Sequence, residues 1–184
     1  MIKLQKYLTI LNINKWYSFI CNNKYYQLIF ILFCCPALAS QQISGKAFVL
    51  DGDSLNINKQ QIRLSGIDAP EYSQQCLDKN SQLYSCGLNS KNFLINLVKG
   101  KIVDCYYDKL DIYKRILATC YLQDLNINDH LLANGMVVIY DFNYATQQQI
   151  QLEASAKEQQ KGIWQGSFQL PKTYRKSKKK YDKN

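Results

Sequence analysis

Among the 184 residues there is a single histidine, His130. Without a second imidazole, the chain cannot pair a general acid with a general base as two-histidine ribonucleases and paired-histidine phosphodiesterases do. His130 falls on a predicted helix and is interpreted as a surface residue rather than a ligand. The sequence also lacks G-x-x-x-x-G-K-[ST], so nucleotide hydrolysis of the P-loop type is unsupported.

The apolar run near the N-terminus, residues 28–35, is shorter than the roughly 20 residues that a membrane-spanning helix needs. Four lysines and no acidic residue accompany it in the first 39 residues, and a Pro-Ala-Leu-Ala segment follows it. This layout predicts a secretory signal peptide over residues 1–39, cleaved after Ala39 or Ser40, and a secreted or periplasmic protein. An uncleaved anchor is the alternative.

The mature chain also lacks any C-x-x-C pair, which argues against a zinc site. Its four cysteines are Cys76, Cys86, Cys105 and Cys120, an even number that indicates disulfides in an exported chain. Three pairings are possible. We favour Cys76–Cys86, which closes a ten-residue loop, and Cys105–Cys120, which joins two strands predicted to be neighbours.

Positive charge is concentrated at the two ends of the chain, whose formal net charge is +9. Residues 40–171 sum to −1, whereas residues 172–184 hold seven basic residues and one acid. The sequence therefore predicts a nearly neutral domain with a basic C-terminal tail. Two interpretations of the tail stay open: non-specific attraction to nucleic acid, or a solvated, disordered terminus.

Hydrophobic periodicity predicts one α+β domain over residues 40–171, since neither repeats nor a linker interrupt it. Strands are predicted at 46–50, 54–57, 61–65, 101–107, 116–122 and 136–140. Helices are predicted at 88–98, from Asn126 or Asn128 to 134, and from Thr146 to about 160. This order favours a five-stranded, partly open barrel of the oligonucleotide/oligosaccharide-binding (OB) type with three helices, although other α+β sheets share the pattern.

Four charged residues lie within one short strand-rich span: Asp53, Arg63, Asp68 and Glu71. Period-two alternation directs Arg63 away from its apolar neighbours, toward Asp53 and the loop that follows the third strand. Three carboxylates and a guanidinium at one end of a sheet are unfavourable unless something binds there. A divalent cation together with a phosphate would satisfy both signs of charge.

Taken singly, the charged segments have ordinary interpretations. Residues 51–53 contain an Asp-Gly turn signal, residues 67–71 could be a strand exit, and residues 111–115 could be a charged hairpin turn. Their combination, D-G-D-[ST], R-L, I-D-x-P-E and D-x-Y-x-R in that order, resembles the staphylococcal nuclease (thermonuclease) family. The resemblance extends from about Gly45 to Arg175. It implies an exported, calcium-dependent endonuclease that cleaves DNA and RNA with little sequence specificity and leaves 3′-phosphate ends.

The resemblance implies a calcium site formed by Asp53, Asp68 and the main-chain carbonyl of Ala69. Calcium suits such a site because it is a hard cation that takes carboxylate, carbonyl and water oxygens. Ala69 stands where the family has threonine, so a hydroxyl contact is lost while the carbonyl remains.

The same resemblance implies that Glu71 activates or orients the attacking water, and that Arg63 and Arg115 grip the phosphate. Two forked donors are suited to the negative charge that builds on a phosphodiester under attack. Tyr113 and Tyr140 resemble the tyrosines beside the nucleotide. Lys114 replaces the family's glycine and is expected to be strained if its backbone needs a positive φ.

Two other functions stay open beside the nuclease. A catalytically silent nucleic-acid-binding module on the same barrel typically loses acidic or arginine positions. Here all five charged positions are present: Asp53, Arg63, Asp68, Glu71 and Arg115. A structural envelope protein that only binds calcium leaves the arginines and Glu71 unexplained. The nuclease hypothesis implies a nucleic-acid substrate, a monomeric protein, and no stable membrane association once the signal peptide is removed.

Overall fold

Apolar residues at alternate positions build a curled sheet in the part of the chain that the computed structural model describes, residues 41–181. The predicted signal peptide, residues 1–39, lies outside the described residues. The main sheet contains β1 (Gln41–Lys46), β2 (Phe48–Asp51), β3 (Ser54–Ile57), β4 (Gln60–Leu64), β8 (Ile102–Leu110), β9 (Ile116–Leu122) and β10 (Leu125–Asn126). Two small sheets are formed by β5 (Ile67–Asp68) with β11 (Val138–Ile139), and by β6 (Cys76–Leu77) with β7 (Leu83–Tyr84).

The main sheet has the order β1-β8-β9-β4-β3-β2, with β10 added to β9. Neighbouring strands are antiparallel except β4 and β9, which run parallel with Ile62 opposite Ile116. The β1 edge approaches the β3–β4 turn, where the side-chain amide of Asn58 donates to the Ser44 carbonyl at 3.1 Å. The sheet is therefore a half-barrel, and with its helices it confirms the α+β OB-type fold. Strands β1 and β10 extend the sheet and were not among the predicted strands.

Four α-helices lie among the described residues: α1 (Cys86–Val98), α2 (Ile127–Ala133), α3 (Gln147–Glu158) and α4 (Pro171–Tyr181). The first three correspond to the predicted helices. Helix α4 forms where only a basic tail was predicted. Its sequence consists mostly of lysine and other polar residues, with few apolar ones. None of the helices within residues 41–181 has the length and apolarity that a membrane crossing requires.

The caps of α2 and α3 are formed by polar side chains. Asn126, rather than Asn128, caps α2 by accepting a hydrogen bond from the backbone N–H of Asp129. Asn128 is instead buried and accepts from the Cys120 N–H at 3.1 Å. Thr146 caps α3 as predicted, in a reciprocal capping box with Gln149.

The hydrophobic core lies on the inner face of the curled sheet, which α1 and α2 cover. Leu55 and Ile57 of β3 are fully buried, as are Leu94 of α1 and Leu131 of α2. Each such side chain contributes roughly 1.5–3 kcal/mol relative to an exposed one. This burial fixes the strand register, and with it the direction of the polar side chains between the core positions.

Only part of the last predicted strand, residues 136–140, joins a sheet. Val138 pairs with Asp68 and Ile139 with Ile67, so β11 accompanies β5 rather than the main sheet. The buried carboxylate of Glu153 in α3 accepts the Ile139 N–H at 2.8 Å. Helix α3 thereby holds β11, and β11 holds the strand that carries Asp68.

Both favoured disulfides are present in the structure. Cys76 bonds to Cys86 and ties the start of β6 to the start of α1. Cys105 bonds to Cys120, its direct partner in the β8–β9 ladder. The first bridge lies close to the carboxylate-bearing loop that follows β5.

Candidate active site

Arg63 joins two buried carboxylates at one end of the sheet. Its Nη1 lies 2.7 Å from Asp53 Oδ2, and its Nη2 lies 2.7 Å from Asp68 Oδ1. Asp53 comes from the turn before β3, and Asp68 from β5. Alternation along β4 thus directs the guanidinium where the sequence predicted.

Burial dominates the electrostatics of these carboxylates. Asp53 is 4% exposed and Asp68 2% exposed. Burial raises the pKa of Asp53, against the opposing effects of Arg63 and of the hydrogen bond from the Ser54 hydroxyl. Burial also raises the pKa of Asp51 to about 6, and the charges of Asp53 and Glu71 add to that rise. Buried carboxylates of this kind are stabilised in their charged form by positive charge nearby.

A second guanidinium, from Arg175 of α4, covers the same cluster. Its Nη1 and Nη2 contact the two oxygens of Asp68 at 3.0 and 2.9 Å. Its Nη1 also contacts Glu71 Oε1 at 2.7 Å. Arg175 was predicted to lie in the basic tail, and this contact was not predicted. The one available signal was that Arg175 is the only arginine among the lysines of that segment.

The loop that carries Glu71 is held in place by contacts with Gln74 and Gly87. The side-chain amide of buried Gln74 accepts the Glu71 N–H at 3.2 Å and donates to the Gln169 carbonyl at 2.6 Å. Gly87, at the start of α1, packs directly against the Glu71 carbonyl, and a Cβ on Gly87 would lie 1.7 Å from that oxygen. Only glycine allows this close approach.

Replacing Gly87 by alanine is expected to destabilise the fold by about 1–3 kcal/mol, because either the helix or the Glu71 loop must move. Urea unfolding of parent and variant measures the change. Gly100→Ala is the comparison for backbone strain without a clash: nothing lies within 4 Å of its added methyl group, and its positive φ of 75° alone costs roughly 1–2 kcal/mol. A Gly87→Ala protein as stable as the parent would contradict the packing described.

The second predicted arginine, Arg115, does not contact the carboxylate cluster. Its Nε and Nη2 both lie 2.7 Å from Asp111 Oδ2. Asp111 Oδ1 also accepts the backbone N–H groups of Tyr113 and Arg115. Although burial opposes ionisation, these hydrogen bonds lower the pKa of Asp111, so the carboxylate organises the turn. This role of Asp111 was not recognised from the D-x-Y-x-R pattern.

Lys114, between Tyr113 and Arg115, has a φ of 63°. That left-handed conformation costs an ordinary residue roughly 1–2 kcal/mol and costs glycine almost nothing. The strain expected from the glycine-to-lysine departure is therefore present. The turn keeps this conformation because the hydrogen bonds to Asp111 fix it.

The predicted site residues surround one cleft of about 1040 Å³. Arg63, Glu71, Arg115, Tyr113 and Tyr140 line it, together with Asp53 and Ala69. Asp68 lies beneath the two guanidinium groups that contact it. Tyr113 and Tyr140 are 69% and 49% exposed, so both rings are open to a ligand in the cleft.

The donors present fit a hard divalent cation. Within residues 41–181, no three acidic, cysteine or histidine side chains are already gathered as a metal cluster. Asp53 and Asp68 nevertheless supply oxygen donors only. Each is paired with a guanidinium group, which occupies a position where a metal cation would also be favoured. Oxygen donors of this kind suit calcium better than zinc or copper.

Comparison with known proteins gives several matches. A sequence model of the family described as staphylococcal nuclease homologue matches residues 61–166. The chain is 34% identical over 140 residues to succinoglycan biosynthesis protein ExoI of Rhizobium meliloti (strain 1021), covering 73% of this chain and 71% of that protein. It is 30% identical over 154 residues to an uncharacterized endonuclease of Escherichia coli, covering 80% and 94%. An uncharacterized endonuclease of Haemophilus influenzae is 36% identical over 120 residues, covering 62% and 61%.

Proposed function

Because the chain belongs to the staphylococcal nuclease family, we propose that it is a calcium-dependent endonuclease. Its substrates are DNA and RNA, which it cleaves with little sequence specificity to leave 3′-phosphate ends. The observation that carries this proposal is the placement of Arg63, Glu71 and Arg115 around one cleft, over two buried carboxylates. The endonuclease relatives support the reaction class.

Asp53, Asp68 and the Ala69 carbonyl are the residues proposed to hold calcium, which would supply Lewis-acid polarisation of a phosphoryl oxygen. Glu71 takes the proton of the attacking water on its carboxylate as the new P–O bond forms. The P–O5′ bond breaks, the phosphate stays on the 3′ oxygen, and the 5′ oxygen takes up a proton from solvent.

The two arginines act on the phosphate from separate supports. Arg63 is supported by Asp53 and Asp68, whereas Arg115 is supported by Asp111, so they approach the cleft from different elements. Donors fixed in advance stabilise the negative charge that builds on the non-bridging oxygens. Forked guanidinium groups fit those oxygens in a way that a lysine ammonium cannot.

Tyr113 and Tyr140 account for the low sequence specificity. Exposed rings beside a phosphate site can stack on any base, since every base has a π-face. Tyr140 also lies near the cations of Arg63 and Lys172, at 5.9 and 5.4 Å from the ring centroid. We propose that these rings hold the nucleotides next to the cleaved bond.

We further propose that the protein is exported by the predicted signal peptide and acts as a monomer, free of the membrane. The two disulfides support an oxidising compartment, since such bonds persist there and are rare in the cytosol. The basic residues of α4 on the cleft support a polyanionic substrate.

Digestion of plasmid DNA and of RNA tests the proposal. Both should be cleaved in millimolar-range calcium, because few protein ligands imply weak binding with several waters. A chelator should abolish cleavage, and added calcium should restore it. Full cleavage of DNA in chelator would overturn the calcium assignment, while the absence of cleavage in any divalent cation would overturn the nuclease.

A further inference from the structure

Arg175 uses the oxygens that the proposed metal site needs. The two Asp68 oxygens accept from Arg175, and one of them also accepts from Arg63. With only 2% of Asp68 exposed, no free approach to its oxygens remains. A cation can therefore reach Asp68 only after the Arg175 guanidinium has left.

The same guanidinium also occupies Glu71. Arg175 Nη1 lies 2.7 Å from Glu71 Oε1, a charge-assisted hydrogen bond to the proposed proton acceptor. While Glu71 Oε1 accepts from Arg175, that oxygen is not free to accept a hydrogen bond from the attacking water. The docked position of α4 thus blocks both the metal site and the base.

Helix α4 is attached by contacts that can be exchanged. Among residues 171–179, Pro171 is the only buried side chain. Beyond Arg175, the helix is held by Lys178, whose Nζ lies 2.7 Å from Ser73 Oγ, and by Tyr174, whose hydroxyl donates to the Ser73 carbonyl at 3.3 Å. Exposed polar contacts contribute little stability, so beyond Pro171 the attachment of the helix depends chiefly on Arg175.

The face of α4 toward the cleft is suited to phosphates once it is freed. Lys172, Arg175, Lys176 and Lys179 all line the cleft. Their spacing of three, four and seven residues places them along one side of the helix. In the docked state, Arg175 is neutralised by the carboxylates, whereas in the undocked state its charge adds to that of the three lysines.

We propose that α4 is a cation-displaced plug of the active site. In the metal-free protein Arg175 occupies the place of the cation on Asp68 and also pairs with Glu71. Calcium binding displaces Arg175, so that its charge joins the lysines of α4 in binding the phosphates of the substrate. This inference rests on the proposed calcium-dependent nuclease function. It gives the C-terminal segment a part in controlling the site that neither a passive terminus nor a general nucleic-acid tether supplies.

Competition of this kind lowers the apparent affinity for calcium, because only the fraction of molecules with Arg175 displaced can bind it. Replacing Arg175 by glutamine is expected to tighten calcium binding about tenfold, the scale of a lost charge-assisted contact. Arg175→Lys should lie between parent and Arg175→Gln, since it keeps the charge but loses the fork. Lys99→Gln is the matched control, because it removes one positive charge from an exposed site outside the cleft.

Isothermal titration of calcium into these four proteins, without substrate, measures the effect. Hydrogen exchange of the α4 amides, with and without calcium, gives a second readout in the parent. The proposal predicts tighter calcium binding in Arg175→Gln, no change in Lys99→Gln, and severalfold faster α4 exchange when calcium is bound.

Equal calcium affinities in parent and Arg175→Gln, or α4 exchange that calcium leaves unchanged, would overturn the plug. If those proteins still cleave nucleic acid only with calcium, the proposed function stands without the plug. If no protein binds calcium at millimolar concentration, the plug and the calcium site fail together, and cleavage in another divalent cation would show whether the nuclease itself survives.

Discussion

Glu71→Gln is expected to lower turnover about 100-fold or more, the usual scale for a lost general base. Glutamine keeps the size of the side chain and its place above Gln74 in the braced loop, but it cannot take a proton from the attacking water. Nucleotide affinity should be retained. Calcium affinity should not fall, because the substitution also weakens one contact of Arg175.

Steady-state kinetics, with nucleotide binding measured separately, would separate the loss of turnover from a loss of binding. Glu158→Gln is the matched control, since it makes the same chemical change at an exposed position at the end of α3. A Glu71→Gln protein that turns over at the parent rate would remove Glu71 from the mechanism. An equal loss in Glu158→Gln would show that the effect is one of general charge.

The second large effect is expected at Arg115. Arg115→Lys keeps the positive charge but should lower kcat/KM about 100- to 1000-fold, the scale for removal of a preorganised charge-stabilising donor. In the structure Nε and Nη2 of Arg115 are held by Asp111, which leaves the rest of the guanidinium for the phosphate. A lysine ammonium cannot serve both partners in a fixed geometry.

Asp111→Ala provides the comparison for Arg115→Lys. It leaves the Arg115 guanidinium intact but removes the acceptor that orients both the side chain and the turn. Its loss of kcat/KM should be smaller than that of Arg115→Lys. An equally large loss would show that the effect of Arg115→Lys comes from disruption of the turn. Full activity in Arg115→Lys would contradict a role for the forked geometry of the guanidinium group.

The Arg63 cluster could be predicted because it follows from strand geometry. Alternation along β4 buries Ile62 and Leu64 and leaves Arg63 on the opposite face, so its direction is a local property of the sequence. The apolar spacing of α1 and the capping signals of α2 and α3 were likewise visible in the sequence. Local periodicity and the order of charged motifs carried that part of the prediction.

The position of α4 could not be predicted in this way. Its attachment depends on Arg175 meeting Asp68 and Glu71, which are more than 100 residues away in the sequence. A run of lysines is compatible with a helix or a solvated tail. Only the assembled fold places those charges together.

The capping residue of α2 shows a similar limit. Asn126 and Asn128 are equally suited to the role by residue type. The choice is made by burial, because Asn128 satisfies the Cys120 N–H and the Ser65 carbonyl inside the protein. Tertiary hydrogen bonds of this kind leave no trace in a local pattern.

Side-by-side cleavage and nucleotide-binding assays test most directly whether this charged cleft cleaves nucleic acid. Parent, Glu71→Gln, Arg63→Lys and Arg115→Lys are compared at saturating calcium. We predict that the parent cleaves DNA and RNA, that all three variants are slowed about 100-fold or more, and that Glu71→Gln still binds nucleotide. If all three variants cleave as fast as the parent, the cleavage comes from a contaminant and the protein is a nucleic-acid-binding module.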